Sequence, residues 1–180
     1  MGFCFFGNIA LAADYLVREQ DCARVAIFDF DVHHGNGTQH LLEERGDVFF
    51  ASVHQAPFYP GTGEASERGF GGGDGATLNV PLPAGTDDSR FREAVETRIL
   101  PALADFAPEV LLVSAGFDGW IHDPIGGWRL TVESFTWLGG ALSALARQHC
   151  DGRMMTLLEG GYSLEGLESQ TAAYLSASDG

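Results

Sequence analysis

Apolar residues occur along this chain in short continuous runs that alternate with longer stretches of helical spacing. Short β-branched and aromatic runs indicate buried strands, whereas apolar residues three and four positions apart indicate helices. The predicted strands begin at Val25 and at positions 48–53, 78–82, 110–114 and 154–158, and the predicted helices cover 9–19, 38–44, 89–106, 131–148 and 164–176. The alternation predicts an α/β fold in which helices flank a parallel sheet, within a single domain over 1–180.

Polar residues follow three of the predicted strands, at the point where each strand ends. Asp31 and His33 follow the first strand, just beyond Asp29. On an extended chain, side chains two positions apart point the same way, so those of Asp31 and His33 would point to one place. Asp118 and Tyr162 follow the predicted strands 110–114 and 154–158. Since the carboxyl ends of parallel strands share one edge of a sheet, we expect these side chains to meet there.

An aspartate, a histidine and a second aspartate offer three ligands and leave a position open, as in catalytic metal sites. Asp31, His33 and Asp118 are therefore predicted to bind Zn²⁺, which would activate water and polarise a carbonyl. Tyr162 would donate its hydroxyl to the developing oxyanion, with Gly160 and Gly161 permitting unusual backbone angles beside it. Taken singly, Asp118 also fits a turn cap and Tyr162 a core aromatic, and the joint pattern favours the metal site.

Composition narrows the classes of partner. The formal net charge of −15 disfavours binding to a nucleic-acid backbone, and it suits either cationic partners, such as basic peptides and polyamines, or solubility alone. Three widely spaced cysteines indicate reduced thiols and a cytoplasmic location. We expect no membrane span and no secretory signal.

The glycine- and proline-rich stretch 55–79 lacks a strong helix or strand period, and a loop of this length is usually functional. Its glycines lack the lysine and hydroxyl residues of a phosphate-binding loop. The histidines outside the Asp31–His33 pair are interpreted as structural or solvated, with His34 also a candidate to support its neighbouring ligand.

Several motifs together resemble the zinc-dependent histone deacetylase superfamily, which includes acetylpolyamine amidohydrolases and acetoin utilisation proteins. The stretches that carry the resemblance are Gly2-Phe3-Cys4-Phe5-Phe6, Asp-Phe-Asp-Val-His-His-Gly-Asn-Gly-Thr at 29–38, Ser52-Val53-His54, Phe-Tyr-Pro-Gly-Thr-Gly at 58–63, Ser-Ala-Gly-Phe-Asp at 114–118, Asp123-Pro124, and Glu-Gly-Gly-Tyr at 159–162. Their order matches the family, and their style is closest to class II and bacterial members. The resemblance implies the arginase/deacetylase fold and hydrolysis of acetyl or other acyl groups on lysine side chains of proteins.

The same resemblance assigns residues to roles. It gives zinc to Asp31, His33 and Asp118, with Fe²⁺ as the alternative ion, and oxyanion stabilisation to Tyr162. It implies a structural potassium ion held by Asp29, Asp31, the carbonyl of His33, Ser52 and the carbonyl of Val53. Phe3 and Tyr59 match the aromatic residues of the acyl-lysine tunnel, and His34, Asn36, Gly160 and Gly161 surround the ligands.

The chain departs from the family pattern before its first motif. The tandem histidines that serve as general base precede the Gly-Phe-Cys stretch in the family, and here that stretch follows Met1 directly. His34 is a poor substitute because it adjoins a zinc ligand. We therefore expect a chain that lacks the family's leading strands, shows little or no deacetylase activity, and has an exposed sheet edge that allows oligomers to form.

Other functions compete with protein deacetylation. A deacetylase-like module that binds without turnover fits the missing histidines, and an acetylpolyamine deacetylase fits the family. Ile125 stands where a polyamine-selective relative has glutamate, which favours acyl-lysine. An arginase-type ureohydrolase with two manganese ions is disfavoured because Gly35 replaces a bridging aspartate.

Overall fold

The computed structural model describes residues 4–179 and contains a five-stranded sheet. Its strands are β1 (Val25–Asp29), β2 (Val48–Gln55), β3 (Thr77–Leu82), β4 (Val110–Ala115) and β5 (Met154–Leu158). They lie in the order β3-β2-β1-β4-β5, and every neighbouring pair is parallel. The predicted α/β class with a parallel sheet is thus confirmed, and β1 is the central strand.

Helices connect the strands. They are α1 (Asn8–Glu19), α2 (Asn36–Leu42), α3 (Asp88–Ala94), α4 (Leu100–Phe106), α5 (Val132–His149) and α6 (Leu164–Ser178), with a short 3₁₀ turn at Gly71–Gly73. The predicted cap of α5 is present, since the Thr131 side chain accepts from the Glu133 N–H at 3.3 Å. α2 begins two residues before the predicted start at Thr38, directly after the polar end of β1.

The predicted helix 89–106 is divided into α3 and α4 by a π-helical turn at Val95–Ile99. Pro101 lies in the first turn of α4 and lacks an N–H to donate. In this wider turn the Leu100 N–H donates to the carbonyl of Val95, five residues earlier. The single helix predicted over 89–106 is therefore interrupted by a local widening that precedes Pro101.

Both faces of the sheet are packed. On one face α1 buries Ile9, Ala10 and Ala13 against a cluster that includes Ile27 and Phe50. On the other face a larger cluster contains Phe28, Phe30, Phe117, Phe135 and Tyr174. Every residue of β1, β2 and β4 is buried, which explains their continuous apolar runs and fixes the carboxyl ends of these three strands firmly.

The two edges of the described sheet differ. On β3 the Thr77 N–H is bonded to the Arg68 carbonyl, and Pro81 removes a further donor, so this edge offers little to another strand. On β5, Met155 and Leu158 are 44% and 59% exposed. Among the described residues, no helix is both long and apolar enough to cross a membrane.

Candidate metal centre

The polar segment after β1 is bent rather than extended. Asp29 ends the strand, and its carboxylate accepts the Asp31 N–H at 3.0 Å. Asp31 in turn accepts the His33 N–H at 2.8 Å. The prediction that Asp31 and His33 lie on an extended segment is therefore wrong. Instead, these side-chain to backbone hydrogen bonds turn the chain and bring the two side chains together.

Asp118 joins this pair from the end of β4. The Nδ1 atom of His33 lies 2.9 Å from Asp31 Oδ1 and 3.1 Å from Asp118 Oδ2. One ligand atom from each of the three residues lies within 4.8 Å of the others. Asp118 Oδ1 accepts the Val32 N–H at 2.9 Å, whereas its buried Oδ2 atom has no donor in the described part of the chain apart from the His33 ring nitrogen. A buried carboxylate oxygen whose neighbouring donor is itself a potential metal ligand fits a site that a cation completes.

The electrostatics of the three groups also point to a cation. Burial disfavours the charged form of His33, but Asp118 and Asp31 outweigh it and raise its pKa to about 10. Burial and the charge of Asp31 raise the pKa of Asp118 to about 7. A proton on His33 thus occupies the place between two carboxylates where a metal ion would sit. The donor set of two carboxylates and one imidazole suits Zn²⁺ and leaves room for a further ligand.

Glycine at position 160 lets the segment after β5 approach the site. The Gly160 N–H donates to Asp31 Oδ2 at 2.9 Å. A β-carbon there would collide with the carboxylates of both Asp31 and Asp118. Gly161 has φ +135°, a region that favours glycine, and it leads the chain into Tyr162.

Tyr162 is half-buried within the electrostatic range of the centre. Burial, followed by the charges of Asp31 and Asp118, raises its pKa to about 12. The phenol therefore keeps its proton throughout the neutral range and is available as a hydrogen-bond donor. The structure places Asp31 and His33 after β1, Asp118 after β4 and Tyr162 after β5, at the same edge of the sheet.

Aromatic rings flank His33. The Phe58 ring stacks on the His33 ring at 5.0 Å between centroids, and the Tyr59 ring lies edge-on at 6.3 Å. Phe58 also packs against the core, and its contact with His33 is not predicted by the sequence, where only its adjacency to Tyr59 could have indicated it. Phe3, the other predicted tunnel residue, lies outside the described residues.

His34 and His54 belong to a buried polar network. Glu67 accepts from the Gln39 amide nitrogen at 2.6 Å, which turns the Gln39 oxygen toward His34 Nε2 at 2.9 Å. That oxygen can only accept, so His34 carries its proton on Nε2, and Nδ1 accepts from the Thr62 hydroxyl at 2.8 Å. Both ring nitrogens of His34 are occupied, which leaves it no lone pair for an activated water.

His54 is bound in the same way. Its Nε2 atom donates to the Gly63 carbonyl at 2.9 Å, and its Nδ1 atom accepts from Ser52 at 3.0 Å. Burial, together with the neighbouring His34, lowers its pKa to about 4. The network ties β2 to the loop that carries the aromatic rings.

Two of the residues assigned to potassium are neighbours in the sheet. Asp29 faces Ser52 across the β1–β2 pairing, and both are buried. Burial and the charge of Asp31 raise the pKa of Asp29 well above its usual value. Asn36 begins α2, where it lines a pocket with His34 and Gln39.

Comparisons with known proteins agree with this geometry. Residues 1–178 match the histone deacetylase domain. The chain is 48% identical over 172 residues to "Histone deacetylase 10, chloroplastic" of Oryza sativa subsp. japonica, covering 96% of this chain and 39% of that protein. It is 42% identical over 165 residues to "Probable deacetylase" of Archaeoglobus fulgidus, covering 92% of this chain and 46% of that protein.

A solved structure extends the similarity to three dimensions. The acetylpolyamine aminohydrolase of Burkholderia pseudomallei superposes with a TM-score of 0.91 at 37% identity, covering 98% of this chain and 50% of that chain. The present chain therefore spans about half the length, or less, of these proteins.

Proposed function

Because this chain belongs to the histone deacetylase family, we propose that its site is that of a zinc-dependent amidohydrolase that removes acetyl or other acyl groups from lysine side chains. The observation that carries the proposal is the convergence of Asp31, His33 and Asp118 within 4.8 Å, with the buried Asp118 Oδ2 atom 3.1 Å from the His33 ring nitrogen. Tyr162, at the end of the adjacent strand, completes the set.

Asp31, His33 and Asp118 are the proposed zinc ligands, with Fe²⁺ as the alternative ion. The His33 Nδ1 atom must lose its proton before it can ligate, so metal loading replaces a proton that the two carboxylates hold strongly. When bound, zinc supplies a Lewis acid for the acyl carbonyl and lowers the pKa of water. Gly160 holds Asp31 in orientation through its N–H.

Tyr162 is the proposed oxyanion donor. Its raised pKa keeps the phenol protonated, so it can donate to the amide oxygen as negative charge develops there. Such a donor contributes about 10²–10³-fold to the rate.

We propose that Asp29, Asp31, the carbonyls of His33 and Val53, and Ser52 hold potassium. The buried Asp29 carboxylate supports this, since a cation would offset the cost of its burial. Oxygen donors alone suit a hard cation of this kind. Such an ion would fix the bent segment between β1 and α2.

The proposed substrate is an acetylated lysine in a protein or peptide. Phe58 and Tyr59 lie beside His33, where they would contact the aliphatic part of the lysine chain. An acetylated polyamine is the second candidate, which the similarity to a polyamine aminohydrolase and the net charge of −15 both favour. The buried cysteines Cys22 and Cys150 are unpaired, which is consistent with a reducing compartment such as the cytoplasm.

Turnover by this chain is proposed to be slow. His33 is a ligand and His34 is fully occupied by Gln39 and Thr62, so neither supplies a general base. A positioned base contributes about 10²–10⁴-fold to such a reaction. Binding of the acyl-lysine without efficient hydrolysis is therefore the expected behaviour.

The test separates binding from hydrolysis. The 180-residue chain, loaded with one equivalent of zinc, is titrated with an acetyl-lysine peptide and with the unacetylated peptide as control. The proposal requires that the acetylated peptide binds only when zinc is present. It also requires that a hydroxamate displaces the bound peptide. Equal binding of both peptides, or binding that survives chelation, would contradict it.

A further inference from the structure

The Asp123 carboxylate accepts three hydrogen bonds, one of which joins the loop after β4 to the loop after β5. Its Oδ2 atom accepts the backbone N–H of Tyr162 at 2.8 Å. Its Oδ1 atom accepts the N–H groups of Ile125 at 2.8 Å and Gly126 at 3.1 Å. The Asp123 carboxylate thus closes a turn in its own loop and also holds the backbone of the loop after β5 at Tyr162.

The turn that Asp123 closes lies against a metal-ligand residue. A β-carbon on Gly126 would collide with the backbone carbonyl of Asp118, so the two backbones are in close contact. Asp123 itself is held by its own N–H, which donates to the Trp120 carbonyl at 2.9 Å. Movement of this loop would therefore be felt at Asp118 and at Tyr162 together.

The backbone leading to Tyr162 is held at both ends by carboxylates. Asp31 accepts from Gly160 and Asp123 accepts from Tyr162, with Gly161 between them. Gly161 has no β-carbon to restrict its backbone, so the path of the chain depends on these two acceptors and on the Phe117 N–H, which donates to the Gly160 carbonyl at 2.9 Å. Charged acceptors give stronger hydrogen bonds than neutral ones, so two carboxylates are suited to holding this backbone in place.

We propose that Asp123 is a positioning residue that fixes the backbone of Tyr162 relative to Asp118, so that the Tyr162 phenol points at the acyl oxygen. The inference rests on the proposed function of Tyr162. Both Asp123 oxygens accept from backbone N–H groups, so we assign Asp123 no contact with the substrate. Its proposed effect on the reaction passes through the position of Tyr162.

The first test reads the position of the phenol without any turnover. The chain has four tyrosines, and labelling them with 3-fluorotyrosine gives four ¹⁹F signals, of which Tyr162→Phe identifies one. In Asp123→Ala this signal is expected to shift or to broaden about twofold, as loop motion enters the microsecond range. Asp123→Asn keeps one acceptor oxygen, so its Tyr162 signal is expected to lie between those of the parent chain and Asp123→Ala.

The matched control is Asp87→Ala. Asp87 also caps a backbone N–H, that of Arg90 at 3.0 Å, but it does so at the start of α3. This variant is expected to leave the Tyr162 signal unchanged. The signal of the buried Tyr174 reports in every variant whether the core is intact.

The second test uses zinc-dependent hydrolysis. Asp123→Ala is expected to lower kcat by about 10–100-fold with little change in KM, and to cause no further loss in a Tyr162→Phe background. An unaltered Tyr162 signal in Asp123→Ala, or an equal loss of kcat in both backgrounds, would overturn the proposal. If the zinc-loaded parent chain neither binds nor hydrolyses acetyl-lysine, the proposed function fails, while the ¹⁹F comparison still decides the role of Asp123.

Discussion

Gly160 donates its backbone N–H to Asp31 Oδ2 at 2.9 Å, across 129 positions of sequence. The bond joins the end of β5 to the segment after β1, two strands that are separated by β4 in the sheet. A β-carbon on Gly160 would collide with the carboxylates of Asp31 and Asp118. The shape of the metal centre thus depends on a residue without a side chain.

Gly160→Ala is expected to weaken zinc binding by about 10–100-fold, since it displaces two ligands and the group that orients one of them. Competition with a chromophoric chelator measures the affinity. Gly140→Ala is the matched control, because its β-carbon would approach nothing closer than the Ala177 carbonyl at 3.9 Å. Equal affinity in the two variants would contradict the assigned geometry.

Asp118→Asn is expected to abolish stabilisation by zinc without weakening the metal-free fold. The asparagine keeps Oδ1 for the Val32 N–H and removes a buried charge that lies near Asp31. Zinc at 100 times its dissociation constant stabilises the parent chain by about 2.7 kcal/mol, and the variant loses this gain.

Thermal unfolding with and without chelator measures both effects of Asp118→Asn. Asp105→Asn, on the exposed surface of α4, controls for the change of charge. A zinc-induced shift that persists in Asp118→Asn would exclude Asp118 as a ligand.

The fold was largely predictable because its strands are buried on both faces. Continuous apolar runs mark β1, β2 and β4, and the polar residues that follow β1 and β4 then share one edge of the sheet. Topology predicts that Asp31, His33 and Asp118 share this edge, and the bend after β1 then brings Asp31 and His33 together there. Their predicted zinc-binding role goes further than this geometry and stays a prediction.

Other features depend on contacts that no local pattern encodes. The bend at Asp31 arises from side-chain to backbone bonds, and the π turn before Pro101 arises from a shift of hydrogen-bond register. The stacking of Phe58 on His33 needs the long loop to fold back over the strand end. Such long-range contacts lie outside the reach of periodicity.

Substitutions of Phe58 and Tyr59 are expected to have different effects on zinc binding and peptide binding. Tyr59 is 60% exposed, so Tyr59→Ala should weaken binding of an acetyl-lysine peptide while zinc affinity stays unchanged. Phe58 stacks on His33, so Phe58→Ala should weaken both. Calorimetric titrations with zinc and with peptide measure the two effects, and the opposite assignment of losses would contradict the predicted tunnel role of Tyr59.

His54 is expected to make stability depend on pH. Its pKa is about 4 in the fold and near 6.5 when unfolded, so between these values only the unfolded chain binds the proton. The contribution of His54 is complete above pH 6.5 and is lost as pH falls toward 4. Free energies of unfolding in urea should rise with pH across this window more steeply in the parent than in His54→Gln, by up to about 1.4 kcal/mol per pH unit.

The control for His54→Gln is His40→Gln, whose side chain is 84% exposed in the parent. The control should keep the parent's pH slope. Equal slopes in all three chains would show that His54 titrates alike in the folded and unfolded states.

The last prediction concerns the rate of hydrolysis. The zinc-loaded 180-residue chain is expected to bind an acetyl-lysine peptide but to hydrolyse it about 10²–10⁴-fold more slowly than a full-length relative, because neither His33 nor His34 is placed to act as a general base, a role worth about this factor. His34 cannot restore the rate, because freeing its nitrogen would break the bonds to Gln39 and Thr62. A full-length histone deacetylase assayed under the same conditions serves as the reference.

Two histidines added before Gly2 should raise kcat toward the reference while leaving peptide affinity unchanged. Two alanines added at the same place should leave binding equally strong and hydrolysis slow, which shows whether the imidazoles act as the base. Rapid zinc-dependent turnover by the unextended chain would show that a residue already present acts as the base. Because Tyr162 acts at the oxygen and not at the water, Tyr162→Phe should lower the rate of both chains by a similar factor.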